Sequence, residues 1–275
     1  MRAREHDTST AERLRGGLKQ LLAAPPALGP AQGASLLIYH RIGGGTRNEL
    51  DLAAHTFVRQ LDLLGEHDVL ALDAALDRLD AGDHRPSIVV TFDDGFEDVY
   101  RNAWPVLRER SVPFTIYLAS AFVGTTMVWE GATARGAAGH GLTWRQLEEM
   151  LSSGLCTIGN HTHDHVRPEA LTPRQLDQCS EAITRHLGVV PRHFTYPWGL
   201  LVPDLEPAIR ERFRSASTGV LGRNLPATDR ARLHRIPVRR SDPQAFFARK
   251  LSGRLGPERT YAALVRLGKA ARRPR

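Results

Sequence analysis

The sequence predicts an α/β fold with parallel strands, and three observations lead there. Seven short runs of strand character recur between residues 35 and 238, segments of helical period separate several of them, and the residues able to do chemistry fall at the carboxyl ends of the runs. A chain of 275 residues holds one large domain or two small ones. With 41% hydrophobic and 24% charged residues it has the composition of a folded protein, which sets aside both disorder and a membrane-embedded bulk.

Residues 1–34 read as an N-terminal extension. A charged, helix-prone start over Ala11–Leu22 gives way to Ala-Ala-Pro-Pro and Gly-Pro, which punctuate structure. The domain proper is expected over residues 35–248. Ser35–His40, Ser87–Phe92, Phe114–Ala119, Leu155–Asn160, His193–Tyr196, Arg214–Thr218 and Leu233–Val238 are read as buried strands. Between them Phe57, Leu61 and Leu64 repeat at helix spacing, as do Tyr100, Trp104 and Leu107. Thr143 leads a helix over Trp144–Leu151, and Thr172-Pro173 opens another that reaches Leu187, where Gly188 closes it. Gly124–Gly141 is glycine-rich without periodicity and is expected to be a long loop on the strand-end face. A closed barrel and a doubly wound sheet both satisfy this pattern.

The net charge of +7 is unevenly placed. Residues 249–275 hold nine Lys/Arg and one Glu, which leaves about −1 for all the rest, so basicity belongs to a C-terminal tail. A neutral body without a recognition helix argues against specific nucleic-acid binding. In the tail, Tyr261, Leu264, Val265 and Leu267 alternate with Arg259, Arg266, Lys269, Arg272 and Arg273. That pattern suits either peripheral contact with an anionic membrane or a helix packed on its own domain. No apolar run approaches a spanning helix, and Leu21–Ala31 carries three prolines, so no signal peptide is read and a cytoplasmic location is expected. Cys156 and Cys179 form no metal-type pair and are read as small buried hydrophobes.

Chemistry concentrates at three strand ends. Thr91-Phe92-Asp93-Asp94-Gly95 puts two adjacent carboxylates after a buried strand, a costly arrangement unless a cation or a proton is shared. Alone, it would read as a solvated turn. His161 and His165 follow the next informative strand, and a helical turn there would bring both imidazoles to one side. One Asp and two His make three ligands and leave a position open, as in a catalytic metal site. The third run, Phe194-Thr195-Tyr196-Pro197-Trp198-Gly199, is aromatic and suits either rim packing or the walling of a sugar.

Together TFDDG, His161-Thr162 with His165, and FTYPWG resemble, in order, the motifs of the polysaccharide deacetylase family, the NodB-homology enzymes of carbohydrate esterase family four. The resemblance spans roughly Ser35 to Arg240. FTYPWG and Leu37-Ile38-Tyr39-His40-Arg41 look like the exopolysaccharide deacetylase variant. It implies an α/β fold of distorted (β/α) barrel type with about seven parallel strands and a divalent metal at the carboxyl-terminal face. By motif position Asp93 is the general base, and Asp94, His161 and His165 hold the ion, which by ligand type is zinc, with cobalt and nickel equally suited. Trp198 offers a backbone N–H to the oxyanion; Tyr196, Trp198 and His40 contact the saccharide.

The implied reaction removes acetyl groups from an N-acetylated sugar or polysaccharide. An O-acetyl esterase, another C–N hydrolase on the same scaffold and a non-catalytic carbohydrate-binding protein are the alternatives. Retention of both aspartates argues for catalysis, because nothing in binding requires the costly second charge. The chain departs from the family in one respect. Where the family has an arginine that braces the base, this chain has Thr195, and the last strand reads Leu233-His234-Arg235-Ile236-Pro237. Side chains on a strand alternate, so only one of His234, as general acid, and Arg235, as displaced brace, faces the site. Arg235 is favoured, since an unbraced buried aspartate tends to take up a proton.

Overall fold

The computed structural model describes residues 10–24, 29–129 and 139–271. They fall into two compact units, residues 32–240 and the segments 1–31 with 241–275.

The larger unit is a closed barrel of seven parallel strands. In chain order they are β1 (Ala34–Tyr39), β2 (Ser87–Phe92), β3 (Phe114–Leu118), β4 (Cys156–Asn160), β5 (His193–Thr195), β6 (Ser215–Leu221) and β7 (Leu233–Pro237). Neighbours in sequence pair in space, and β7 closes on β1 through Leu37 opposite Ile236 and Ile38 opposite Pro237. Closure decides between the two architectures that periodicity left open. The strand limits agree with the sequence reading to within a residue, except that β6 runs on to Leu221 through an irregular pairing with β7. β5 has only three residues and pairs with β4 through Asn160 opposite Phe194.

Strand alternation sorts the side chains. On the outer face Tyr39 and Phe92 pack with Phe57 of the helix Ala54–Leu64, ring centroids 5.4 to 6.0 Å apart. Ala34, Leu36, Val89, Tyr117 and Leu233 instead form an apolar cluster with Leu72, Ala75, Leu76 and Leu79 of the helix Leu72–Asp80. That helix, whose apolar residues repeat at spacings of three, one and three, was not read from the sequence. Further along the same strands come Ile38, His40, Asp93 and Arg235, which line a cavity. β1 and β7 thus run from an apolar start toward the cavity.

The loop expected over Gly124–Gly141 is anchored by antiparallel bridges between Thr126 and His140 and between Phe96 and Gly141. Its residues 130–138 lie outside the described residues, as do Arg272 and Arg273 of the tail.

Among the described residues the smaller unit has three helices, Thr10–Ala23, Gln244–Leu251 and Gly256–Ala271. The second crosses the boundary expected at residue 248, and Arg249 and Lys250 are buried. Charge holds this unit together: Asp242 takes the ammonium groups of Lys19 at 2.6 Å and Lys250 at 2.5 Å, and Lys250 also meets Glu258 at 3.0 Å. Burial would raise the Asp242 carboxyl, but Lys250 and Lys19 hold it below its ordinary value. Its contribution to stability is therefore present at neutral pH and is lost as pH falls through that lowered value. Asp242→Ala removes the carboxylate shared by two buried ammonium groups and leaves Lys19 with the Ser241 hydroxyl and Lys250 with the Glu258 carboxylate, so a loss of up to about 3 to 5 kcal/mol is expected. Denaturant unfolding followed by circular dichroism measures it; an unchanged midpoint would mean that the lysines do not depend on this carboxylate.

Candidate active site

At the end of β2 an extended chain would send Asp93 and Asp94 to opposite faces. Instead Asp94 and Gly95 take positive φ of 73° and 90°, and both carboxylates line the cavity. A Cβ on Gly95 would lie 2.6 Å from Leu118, so only glycine fits this turn. Asp94 is one of four non-glycine residues near the cavity with left-handed backbone; the others are Thr162, His165 and Trp198. Such conformations cost of order 1 to 3 kcal/mol each, and their clustering marks a site where geometry is imposed by function.

His161 and His165 do converge, but not on a helical turn. Residues 161–165 are irregular, with Thr162 at φ 70° and His165 at φ 49°. The turn is shaped by Asn160, whose side-chain carbonyl accepts from the Thr162 N–H at 2.8 Å, and by Gln175, whose backbone carbonyl accepts from the His163 N–H at 3.1 Å. His161 Nε2 lies 3.3 Å and His165 Nε2 3.4 Å from Asp94 Oδ1, and all three residues are buried.

The donor set fits a divalent cation. His161 Nδ1 lies 2.8 Å from the Thr195 carbonyl, which can only accept, so this nitrogen carries the proton. In the neutral ring Nε2 is then a lone pair facing a carboxylate oxygen, an acceptor against an acceptor. A cation between them removes the conflict. Ligand atoms at the corners of a tetrahedron around an ion roughly 2.0–2.1 Å away are separated by about 3.3 Å, close to the spacings seen here.

Asp93 has different company. Arg235 Nη1 donates to its Oδ1 at 2.7 Å, and Arg235 Nε donates to the Thr218 carbonyl at 3.1 Å. Burial would raise the Asp93 carboxyl; Arg235 first, then His161 and His40, outweigh it and hold the group below its ordinary value. Asp94 is held well below the carboxylate range, where the facing imidazoles of His161 and His165 outweigh burial. His234 points the other way, with Nδ1 3.2 Å from the Arg223 carbonyl, and it does not line the cavity. Arg235 is thus the residue of the pair that enters.

His40 lines the cavity too, and its Nδ1 is buried with no hydrogen-bond partner. Burial lowers its pKa, opposed by Asp94 and Asp93. Trp198 is 38% exposed at the rim, its ring 5.4 Å from His165 and 5.2 Å from the Arg167 guanidinium. Tyr196 corrects the sequence reading, because it does not reach the cavity. It is fully buried, packed edge-on against Phe194 among Leu176, Leu205, Ile209 and Ala216, and its burial pushes the phenol up to about 12. Its ring faces outward because it sits one position out of phase with Thr195 at the end of β5.

Trp129 was missed. Its ring stacks 4.4 Å from His165 and lines the cavity beside Leu50 and Arg239. A lone tryptophan in a glycine-rich strand-end loop was the available signal. The floor depends on a close backbone contact as well: a Cβ on Gly199, at φ 68°, would lie 2.6 Å from Gly219 Cα.

The fold and site together define a (β/α) barrel of the NodB type. The polysaccharide deacetylase profile matches residues 80–211. YxkH of Bacillus subtilis, a protein bearing the same family name, is 31% identical over 146 residues, 51% of this chain and 46% of the relative. The poly-β-1,6-N-acetyl-D-glucosamine N-deacetylase of Staphylococcus aureus is 26% identical over 140 residues, 46% of this chain and 44% of the relative. The chain therefore spans under half the length of these relatives. Among solved structures, IcaB from Ammonifex degensii superposes with a TM-score of 0.70 at 29% identity, covering 81% of this chain and 98% of that one. The BpsB deacetylase domain from Bordetella bronchiseptica shares the fold, with a TM-score of 0.63 at 18% identity over 78% of this chain and 98% of that one. Residues 80–211 of this chain thus match a polysaccharide deacetylase domain.

The ligand assignment is open to test. Purified protein should carry about one divalent ion, and Asp94→Ala and His161→Ala should each lose it under competition with a chelator. Elemental analysis decides; full retention in both variants would place the ion elsewhere.

Proposed function

We propose that the chain is a metal-dependent deacetylase that hydrolyses the acetamide of an N-acetylated polysaccharide, with zinc as the ion and cobalt or nickel equally suited to its donors. The observation that carries this reading is the separation of two adjacent aspartates by their partners. Asp94 turns to two imidazoles while Asp93 turns to a guanidinium, and both open on one cavity of about 310 Å³. The family, and the relative named for poly-β-1,6-N-acetyl-D-glucosamine, favour an N-acetyl substrate over an ester.

When bound, the ion would polarise the acetyl carbonyl and make water at the site more acidic. Asp93 accepts the proton of the attacking water, and the paired Arg235 keeps it ionised before each turnover. The backbone N–H of Trp198 is the protein donor offered to the developing oxyanion. His40 is the proton donor to the leaving amine. Of the titratable side chains lining the cavity, it alone belongs neither to the ligand set nor to the Asp93–Arg235 pair, Arg239 being fixed in its charge. Trp129 and Trp198 wall the sugar, and the products are the free amine and acetate.

Asp93→Asn should keep the ion and lower acetate release by about 10² to 10⁴-fold. Equal loss of ion and rate would merge the two roles. Arg235→Ala should move the acidic limb of the pH–rate profile upward, because without the guanidinium Asp93 stays protonated to higher pH. His40→Ala should lose turnover with the ion retained, whereas His234→Ala should stay near wild type; the reverse pattern would make His234 the donor.

A further inference from the structure

The helix Thr10–Ala23 is built inside out. Its inward side is Glu12, Gly16, Lys19 and Ala23, at spacings of four, three and four, with Lys19 fully buried under the rings of Phe246 and Tyr261. On the opposite side Leu14, Leu18 and Leu21 stand 71%, 36% and 74% exposed. A surface helix ordinarily turns its leucines inward and its lysine to water. The third helix of the same unit also exposes Leu264, Val265 and Leu267.

Charge identifies the partner. Residues 1–31 and 241–275 hold fourteen Lys/Arg against five Asp/Glu, a net +9, and residues 32–240 a net −2. A second copy of the chain would set +9 against +9. Nucleic acid would answer the charge but leave the leucines in water. A bilayer containing anionic lipid takes both the apolar stripe and the positive charge. We propose that the helical unit docks on an anionic phospholipid surface, with Leu14, Leu18 and Leu21 entering the acyl boundary and exposed basic residues such as Arg13, Arg15, Arg259 and Arg266 meeting the headgroups. Among the described residues no helix is long and apolar enough to cross a membrane, and the contact proposed is one of a helix lying in the interface.

Flotation of the full chain with vesicles tests this. Binding is expected with phosphatidylcholine and phosphatidylglycerol at roughly 3:1, not with phosphatidylcholine alone, and should weaken as salt is added. The combined Leu14→Ser, Leu18→Ser and Leu21→Ser variant should bind at least about tenfold less, with unchanged circular dichroism and unchanged acetate release from a soluble substrate. Arg266→Glu should weaken binding too. Three results would overturn the proposal: no binding to anionic vesicles at low salt, equal binding by the leucine variant, or a wild-type dimer that the leucine variant splits.

Discussion

Two carboxylates on consecutive residues, both buried at the end of one strand, are the constraint around which the barrel is organised. Side by side in a poorly hydrated cavity, Asp93 and Asp94 repel each other and lose hydration, and neither stays ionised without a dedicated counter-charge. The fold supplies one directly and prepares a place for the other. Arg235 arrives from β7 to Asp93, and the imidazoles of His161 and His165 arrive from the end of β4 to Asp94, where the three would hold a cation. Because the barrel is closed, β7 lies next to β1, which lies next to β2, and the guanidinium is within reach of a residue far away in sequence. An open sheet with β7 at one edge would not offer this route.

Aiming the groups costs backbone freedom, and the cost is localised. Asp94, Thr162, His165 and Trp198 are left-handed, while β1, β2 and β3 beneath them are regular and buried. The apolar starts of β1 and β7, sealed by the helix Leu72–Asp80, form a rigid base that holds the strained turns in place. The second helical unit has its own electrostatic core, in which Asp242 and Glu258 neutralise Lys19 and Lys250. With a lysine filling the inward face of its first helix, Leu22 packs beside Phe246 and Tyr261 while Leu14, Leu18 and Leu21 are left on the outside.

Much of this was legible in the sequence. Seven strands could be read because buried strands are short and bounded, and the site residues could be read because each follows such a run. Barrel closure could not, since apolar runs carry no information about which strand pairs with which. The direction of Tyr196 was misread because aromatic composition says nothing of phase: at the end of β5 it falls on the outer face, where Phe194 and Leu205 bury it. The meeting of His161 and His165 was anticipated from a spacing of four, yet the structure achieves it by two left-handed residues rather than by helix. Trp129 was hidden in a segment without periodicity, where proximity to His165 depends on loop conformation alone.

The replacement of the family's bracing arginine follows from the same geometry. At position 195 this chain has threonine, whose hydroxyl is spent on the Ser217 carbonyl at 3.1 Å and whose own carbonyl orients His161. A buried, ionised carboxylate still requires a positive neighbour, and inside a closed barrel that neighbour need not come from a fixed strand. Inward positions near one end of the cylinder converge on a common axis, so a long side chain from β7 can occupy space that one from β5 would otherwise fill. Arginine suits the transfer because one nitrogen can hold Asp93 while another is anchored on the Thr218 carbonyl, which fixes the fork without a second acid. The alternation that turns Arg235 inward turns His234 outward, to the Arg223 carbonyl. Having Arg235 inward on β7 therefore turns the adjacent histidine away from the cavity, and it leaves His40, just past the end of β1, lining the cavity with Asp93.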